Sequence, residues 1–597
     1  MEEEKEEGKT RNPLVNLFRI EWSHLGRRKK VFFAQLVLFI IAGFISLLTP
    51  LVIGLIFNSI QQTINSTAEL NKLIFMIFLL LAITIGFWIF HGTGRFLEQR
   101  TGFFVHRNYT NSKIKKILGL PVKWHKDHHS GDTIDKVNRG RNALSSFSES
   151  MTYDVVYAIL NIFGSLIILF FVDAKIAAFT FGFSIITLLI IMRVDKKLNK
   201  YYQEMNKFSN KLSSAVYDYL SNIITVKTLR LKKTVTTEVD RRLMASSETH
   251  KKTTALNEFK WGFASIAISL MTVLALSYKA YTDYSSTGII MIGTLYILYG
   301  YLNKVGNTFY TFAYLYGSMV RKNARISGVD PIDKSFEEIK TTVGGKLPFN
   351  WNEIQIKNID FTYDKEGEIQ HIDNVGIKFK KGQKIALIGE SGSGKSTILA
   401  IMRGLYTPEK GKVYCGGEEI KDGFEKLKSH ITLIPQDPEI FNNTLRYNIT
   451  MDLPVKKEEV DKVISMAQFG KVVERLEKGL ETNVLEKGVS LSGGEKQRLA
   501  LARGLLAARQ SEIILLDEPT SSVDNLNEME IYNKVFREFK YETIISSVHR
   551  LHLLKMFDYI YMFEKGRIVA EGTLEEIKKN PKFMHVWRKY GLTKEIK

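Results

Sequence analysis

Three short stretches in the second half of the chain hold residues spaced for chemistry on phosphate. The stretch GESGSGKST, residues 389–397, follows the apolar run KIALI and precedes the helical pattern ILAIMRGL. A G-x-x-x-x-G-K-[ST] spacing between strand and helix is the context in which backbone N–H groups cradle phosphate at a helix N-terminus. The cradle comprises Gly389, Glu390, Ser391, Gly392, Ser393, Gly394, Lys395, Ser396 and Thr397, with Lys395 reaching the β/γ-phosphates and Ser396 holding Mg²⁺. In EIILLDEPT, four apolar residues deliver Asp517 to the end of a buried strand, where it serves Mg²⁺ or its water; Glu518 beside it polarises an attacking water. An acidic pair is also an ordinary solvated strand end, but its place 122 residues after Lys395 favours the metal reading. In LSGGEKQRLALARGLL, residues 491–506, Ser492 and the amides of Gly493 and Gly494 open a helix and form a second phosphate-binding surface.

This third stretch resembles the signature of the ATP-binding cassette (ABC) ATPases, LSGGQ, with Glu495 where Gln is usual and Gln497 completing the LSGG-x-x-QR form. The resemblance implies ATP and Mg²⁺ as cofactors and assigns further residues. Tyr363 in FTYD matches the aromatic that stacks on adenine, and Gln436 in LIPQD matches the loop glutamine that senses Mg²⁺ and the membrane domain. Ser522 to Asp524 in TSSVD match the loop crossing to a partner cassette, with Asp524 counted at the nucleotide. His549 in SSVHR matches the histidine that contacts the γ-phosphate. The catalytic set is then Glu518, His549 and Gln436, and the metal set Ser396, Gln436 and Asp517. A packed strand aromatic and a surface histidine are the plainer readings of Tyr363 and His549.

These residues need a rigid frame. From Ile354 onward short β-prone runs, among them HITLIP, EIILLD and YETIISSV, alternate with helical stretches, which indicates an α/β domain with a largely parallel sheet. The first half differs. Uncharged apolar runs at residues 31–57, 73–90, 155–172, 176–192, 261–278 and 284–303 each match the length needed to cross a hydrocarbon core of roughly 30 Å. Six spans are expected. The connection between spans 2 and 3 holds 11 Lys and Arg and that between spans 4 and 5 holds 15, whereas the other three hold one each, Lys72, Lys175 and Lys279. The asymmetry puts both termini and both long connections in the cytoplasm. Those connections, 64 and 68 residues with few Gly or Pro, read as helices continuing out of the membrane.

Much of the net charge of +20 sits in these membrane-adjacent segments, which favours membrane topology over a nucleic-acid surface as its explanation. One cysteine, Cys415, excludes an intrachain disulfide framework and a cysteine-rich metal site. The acidic start MEEEKEEGKT is unlike a signal peptide or an Arg-rich presequence.

Six spans, two long cytoplasmic extensions and one cassette together resemble a half-transporter of the ABC exporter type. The expected organisation is a tail with an interfacial helix (1–30), a six-helix transmembrane domain (31–320), a linker (321–353) and an ABC nucleotide-binding domain (354–597). In TNVLEKGVSLSGG, Glu486 takes the acidic position of an exporter-specific stretch. The resemblance implies a dimer in a lipid bilayer, in which the signature of each chain completes the ATP site of the other; with both halves of a site intact a homodimer is the simplest assembly, and a heterodimer is the alternative. It also implies coupling segments near residues 121–129 and 217–222. The function implied is ATP-driven export by alternating access, from the cytoplasm or inner leaflet of a plasma (inner cell) membrane. Its cargo would be a drug-like amphiphile, a peptide or a lipid. A lipid flippase or an ATP-gated channel on the same scaffold is the alternative. Candidate cavity residues are His91, Arg95 and Glu98 on span 2, and Asn303, Lys304, Asn307, Tyr296, Tyr299, Tyr310 and Tyr314 on or beside span 6. Helix packing and interfacial snorkelling are the plainer readings of these side chains.

Overall fold

A computed structural model describes residues 12–62, 64, 66–128, 130–339, 351–363, 370–484 and 491–591. The acidic start, Asp364 and the stretch holding Leu485 and Glu486 lie outside them. The chain divides into two compact units, residues 1–120 with 124–339 and residues 121–123 with 340–597.

The described part of the first unit is helical: α1 (Pro13–His24), α2 (Lys29–Gln61), α3 (Thr67–Leu118), α4 (Val122–Asp127), α5 (Ser130–Ser148), α6 (Met151–Val172), α7 (Ala174–Ser221), α8 (Ile223–Thr228), α9 (Lys232–Met244), α10 (Ser247–Thr287), α11 (Ile292–Ser327) and α12 (Asp330–Glu337). Local chemistry sets several starts. Asn12 Oδ1 accepts the Leu14 N–H at 3.0 Å ahead of α1, Ser66 and Glu69 form a capping box for α3, and Asp173 caps α7. Helices α3 and α7 run 52 and 48 residues, about 78 and 72 Å at 1.5 Å per residue, so the stalks continue the spanning helices.

Among the described residues five helical segments are long and apolar enough to cross a membrane: those containing α2, α3, α6, α7 and α10. The expected sixth span, 284–303, is not one helix. Helix α10 ends at Thr287, Gly288 turns the chain at φ +70°, and α11 starts at Ile292. Gly300, Asn303, Lys304, Gly306 and Asn307 dilute the apolar character of α11. Even so, α11 packs closely on α2: a Cβ on Gly293 would lie 1.9 Å from the Gly54 carbonyl oxygen, and Tyr301 donates to the Leu47 carbonyl at 2.6 Å.

The segment expected as linker begins as helix, because α11 reaches Ser327 and α12 follows. The Gly and Pro read as loop signals are helix punctuation: Gly328 caps α11 and Pro331 sits in the first turn of α12. Asp333 of α12 pairs with Lys113 and with Lys116 on α3. The first expected coupling segment contains α4. The second, 217–222, is the end of α7, with no Gly or Pro to stop it sooner, and the separate short helix there is α8.

The second unit holds two main sheets. A four-stranded antiparallel sheet runs in the order Ile372–Lys380, Glu353–Phe361, Lys410–Cys415, Glu418–Glu419, an element not anticipated from the sequence. The six-stranded sheet runs Arg567–Gly572, Tyr559–Glu564, Lys384–Ile388, Thr543–Ser547, Ile513–Asp517, Ile431–Ile434, all parallel except the first. Every residue of Lys384–Ile388, Ile513–Asp517 and Thr543–Ser547 is buried, which is why these strands are apolar at successive positions, IALI, IILL and II, rather than at alternate ones. Ile513 and Leu515 join the core on one face with Ile398 and Ile401, whereas Ile514 and Leu516 join the other with Leu499 and Leu505.

Candidate functional site

The parallel sheet gathers the sequence motifs at one edge. Residues 389–397 follow the strand Lys384–Ile388, Glu518 follows Ile513–Asp517, His549 follows Thr543–Ser547 and Gln436 follows Ile431–Ile434, so all four leave the carboxyl ends of neighbouring strands. In open α/β sheets ligands bind at that edge.

The loop 389–394 turns through left-handed backbone at Gly389 (φ +148°), Gly392 (+77°) and Gly394 (+107°). A Cβ on Gly389 would lie 2.3 Å from the Phe563 carbonyl oxygen, so this turn closes only around glycine. Helix Lys395–Met402 starts directly after it. Lys395 is buried and its Nζ donates to the Gly389 and Glu390 carbonyls at 2.9 and 3.1 Å, which folds the side chain back over the loop. Burial lowers its pKa. Ser393 and Thr397 are buried, while Glu390, Ser391, Gly392 and Ser396 are exposed.

Ser396 Oγ donates to Asp517 Oδ1 at 2.9 Å, and Ser547 Oγ donates to the same oxygen at 2.8 Å. Burial raises the Asp517 pKa against the opposing effect of these two hydroxyls. Glu518 adopts φ +45°. Its N–H donates to Ser547 Oγ at 2.9 Å, its Oε2 accepts from Gln436 Nε2 at 2.9 Å, and its Oε1 contacts His549 Nε2. The hydroxyl of Ser396 and the carboxylate of Asp517 form a hard oxygen pair suited to Mg²⁺, and the glycine cradle leaves room for phosphate.

Ser492 caps the helix Gly493–Ala507: its Oγ accepts from Glu495 N–H, and Ser492 N–H donates to Glu495 Oε2 at 2.8 Å. The Glu495 carboxylate is thereby folded onto its own helix start and pairs with Arg475 at 2.8 Å. Ser492 and Gly493 are exposed, and Gly494 lies against the Ser522 carbonyl, 2.7 Å from where a Cβ would be. Gln497 ties this helix to the Glu518 loop, donating to Glu518 O (3.1 Å) and Ser521 Oγ (2.9 Å) and accepting from Ser522 N–H (2.8 Å). Asp524 caps the helix Asn525–Glu538 through Asn527 N–H at 3.0 Å. Tyr363 stands edge-on to Phe361, Tyr406 and His371, and its hydroxyl lies 3.0 Å from Thr397 Oγ1.

The membrane-unit candidates divide into two groups. On α3, Glu98 is fully buried, pairs with Arg95 and accepts the Tyr153 N–H at 3.1 Å, while Arg95 donates to the Glu149 carbonyl at 2.8 Å. His91 stacks on Phe87 at 4.8 Å. Arg95 and Glu98 thus tie α3 to the turn between α5 and α6 and to the start of α6, and His91 also packs against Phe39 of α2 and Tyr153 of α6. On α11, Tyr310 stacks on Trp261 and Tyr296 meets Phe57 edge-on, whereas Tyr299, Asn307 and Tyr314 are exposed and Asn303 and Lys304 half-buried.

The known families bear directly on this geometry. Residues 32–303 match the ABC transporter transmembrane region and residues 372–521 match the ABC transporter domain. The chain belongs to the ABC transporters. It is similar to the mitochondrial iron–sulfur clusters transporter ATM1 of Candida glabrata, 26% identical over 520 residues covering 83% of this chain and 70% of that protein. It is also similar to an ATM1-type heavy metal exporter of Novosphingobium aromaticivorans, 24% identical over 540 residues covering 85% of each. Its fold matches that of a bacterial Atm1-family ABC exporter with ATP bound: TM-score 0.83, 20% identity, covering 94% of this chain and 98% of that one. This ABC half-transporter is therefore a multi-pass membrane protein of exporter type that couples ATP hydrolysis to transport.

Some participants escaped the reading of the ABC motifs. Ser547 gave no signal because a serine inside a buried apolar strand reads as filler. Glu528 and Arg550 lie 22 residues apart and meet only through the fold. The pair Asp195–Lys260, 3.0 Å apart and almost completely buried between α7 and α10, is likewise invisible in local sequence.

Proposed function

We propose that two copies of this chain form the exporter, each cassette binding ATP on its loop 389–397 and closing on the Ser492–Gly493 surface of the other. The observation that carries this reading is the contiguous set Ser396–Asp517, Gln436–Glu518–His549 along one row of strand ends, beside a signature helix whose start is exposed. Ser396, Asp517 and Gln436 hold Mg²⁺, which when bound neutralises phosphate charge. Lys395 and the amides of Gly392, Ser393 and Gly394 hold the phosphates, and Tyr363 borders the base. Glu518 takes the proton of the attacking water, and His549 orients Glu518 and the terminal phosphate. Closure on ATP and separation after hydrolysis drive alternating access in the helical unit.

For cargo, we infer an anionic complex that carries its own metal ligands. Relatives are named for iron–sulfur clusters and heavy metals rather than for drugs, peptides or lipids. The sequence has its one cysteine in the cassette, and among the described residues no group of three or more His, Cys, Asp or Glu is arranged to hold a bare ion. Lys304, flanked on α11 by Tyr299 and Asn307, offers positive charge and adaptable hydrogen bonding to such a complex. The membrane assigned is the inner membrane of a cell; relatives named as mitochondrial make a mitochondrial membrane the second reading.

Glu518→Gln is expected to trap an ATP-bound dimer and reduce steady-state turnover by roughly 10²- to 10³-fold. Hydrolysis at the parental rate would remove Glu518 from the catalytic role. With the parental protein in proteoliposomes, thiol-complexed metal should stimulate the ATPase more than lipids or hydrophobic drugs do.

A further inference from the structure

We propose that Glu528 is a positioning residue for hydrolysis, holding the Glu518 turn, the His549 segment and the 522–524 loop in one frame from behind the site. The inference rests on the roles given to Glu518 and His549 above.

Glu528 lies in the first turn of the helix Asn525–Glu538 and is 4% exposed. Its Oε1 accepts from Thr520 Oγ1 at 2.7 Å, two residues after Glu518. Its Oε2 accepts from Arg550 Nη1 at 3.0 Å, the residue directly after His549, with His552 Nε2 at 3.8 Å. Arg550 Nη1 also donates to Asn525 Oδ1 at 2.7 Å, next to the capping residue Asp524. Because His549 Nε2 contacts Glu518 Oε1, these links close a ring: Glu518, Pro519, Thr520, Glu528, Arg550, His549 and back to Glu518. A cavity of about 230 Å³ lies within it, lined also by Tyr532 and Ser547.

The ring explains how the site keeps its shape. Glu518 at φ +45° is in backbone that a non-glycine residue holds only when its surroundings impose it. Gln497 fixes the Glu518 carbonyl from one side, and the Thr520–Glu528 bond fixes the turn from the other. Charge-assisted bonds in a buried setting are short, directional and costly to distort, and a carboxylate in the first turn of a helix is favoured by the helix dipole. Glu528 and Arg550 do not reach nucleotide-binding residues directly. They determine where His549 stands relative to Glu518, and displacements of about 1 Å at a reacting group cost up to roughly 10²-fold in rate.

The test uses the full-length protein in reconstituted membranes, comparing Arg550→Gln, Glu528→Gln and their double variant, with Glu518→Gln as reference. Expected for each single variant is a kcat about 10- to 100-fold lower with KM for ATP changed by less than about threefold, since binding groups are untouched. The double variant should be no worse than the more damaging single one, because both open the same ring. Glu528→Asp, which keeps the charge, should recover part of the loss. Arg550 is partly exposed, so Arg550→Gln decides the matter if Glu528→Gln does not fold. A parental kcat in Arg550→Gln, with Glu518→Gln inactive, overturns the ring alone. Losses that add in the double variant and track its loss of thermal stability overturn it as well, and an active Glu518→Gln overturns both the ring and the site reading.

Discussion

Two buried charges at the cassette's strand ends and a buried pair in the membrane unit are held in opposite ways. In the cassette, Lys395 and Asp517 are buried beside an open strand edge, and neither has an opposing side-chain charge among its hydrogen-bond partners: Lys395 is satisfied by carbonyls and Asp517 by hydroxyls. In the membrane unit, the buried Asp195 and Lys260 neutralise each other, and the buried Glu98 pairs with the partly exposed Arg95. Charges left without a counter-charge are prepared for a charged ligand, whereas charges paired in a low-dielectric setting hold helices together.

Asp517→Asn tests the first half of that contrast and carries the largest effect. Burial raises the Asp517 pKa in the folded chain, so between its ordinary and raised values the folded state binds more protons than the unfolded one. Nucleotide-free stability due to this group is then highest below the ordinary carboxylate value and is lost as pH rises through the raised one. An amide is neutral throughout. It also keeps both existing hydrogen bonds, since Ser396 and Ser547 both donate to Oδ1. The expected outcome is ATPase activity lower by roughly 10²- to 10³-fold while the nucleotide-free thermal midpoint at neutral pH stays level or rises. A variant that lost stability and kept turnover would mean that Asp517 is a structural strut.

The second half is tested by Lys260→Met. Removing the cation leaves Asp195 buried without its partner, which costs about 3–5 kcal/mol. Thermal unfolding in detergent should show a lower midpoint for Lys260→Met and recovery of most of it in the Lys260→Met/Asp195→Asn double variant. If the single variant keeps the parental midpoint, the pair does not brace α7 against α10, and its charges are free for another task.

The same contrast accounts for what the sequence made legible. The phosphate loop, Asp517–Glu518 and Ser492–Gly494 are contiguous, because a tight turn or a strand end places adjacent residues at one point. A parallel sheet then brings such points together, so the α/β reading carried most of the cassette site with it. Partners such as Ser547, Glu528 and Arg550 depend on which strands are neighbours, which spacing along the chain does not encode. In the membrane unit nearly everything is of that kind. Apolar length located the spans and charge counting oriented them, but side-chain direction decided the rest. His91, Arg95, Glu98 and Lys304 are alike as cavity candidates in the sequence, yet Glu98 is fully buried and, with Arg95, bonded to the backbone around the start of α6. The expected sixth span, 284–303, is interrupted because it is apolar across a turn, and uncharged length alone does not register the left-handed Gly288 that ends α10.

The smallest effect is expected where the signature departs from its usual form, at Glu495→Gln. The carboxylate accepts the Ser492 N–H at 2.8 Å, which an amide oxygen does equally well in a capping box. Its pairing with Arg475 involves a guanidinium 59% exposed, and such pairs contribute about 0–1 kcal/mol. Although burial opposes it, the Ser492 N–H and Arg475 lower the Glu495 pKa, so this modest stability is present above the ordinary carboxylate value and fades as pH falls through the lowered one. At neutral pH the thermal midpoint should fall by no more than about 1 kcal/mol in equivalent stability and the ATPase rate should stay within about twofold. A change in kcat beyond tenfold with an unchanged midpoint would instead show that residue 495 acts across the proposed dimer interface on bound ATP. The signature would then use its side chain as well as the Ser492 hydroxyl and the glycine amides, and the cassette's open charges would extend to a second surface.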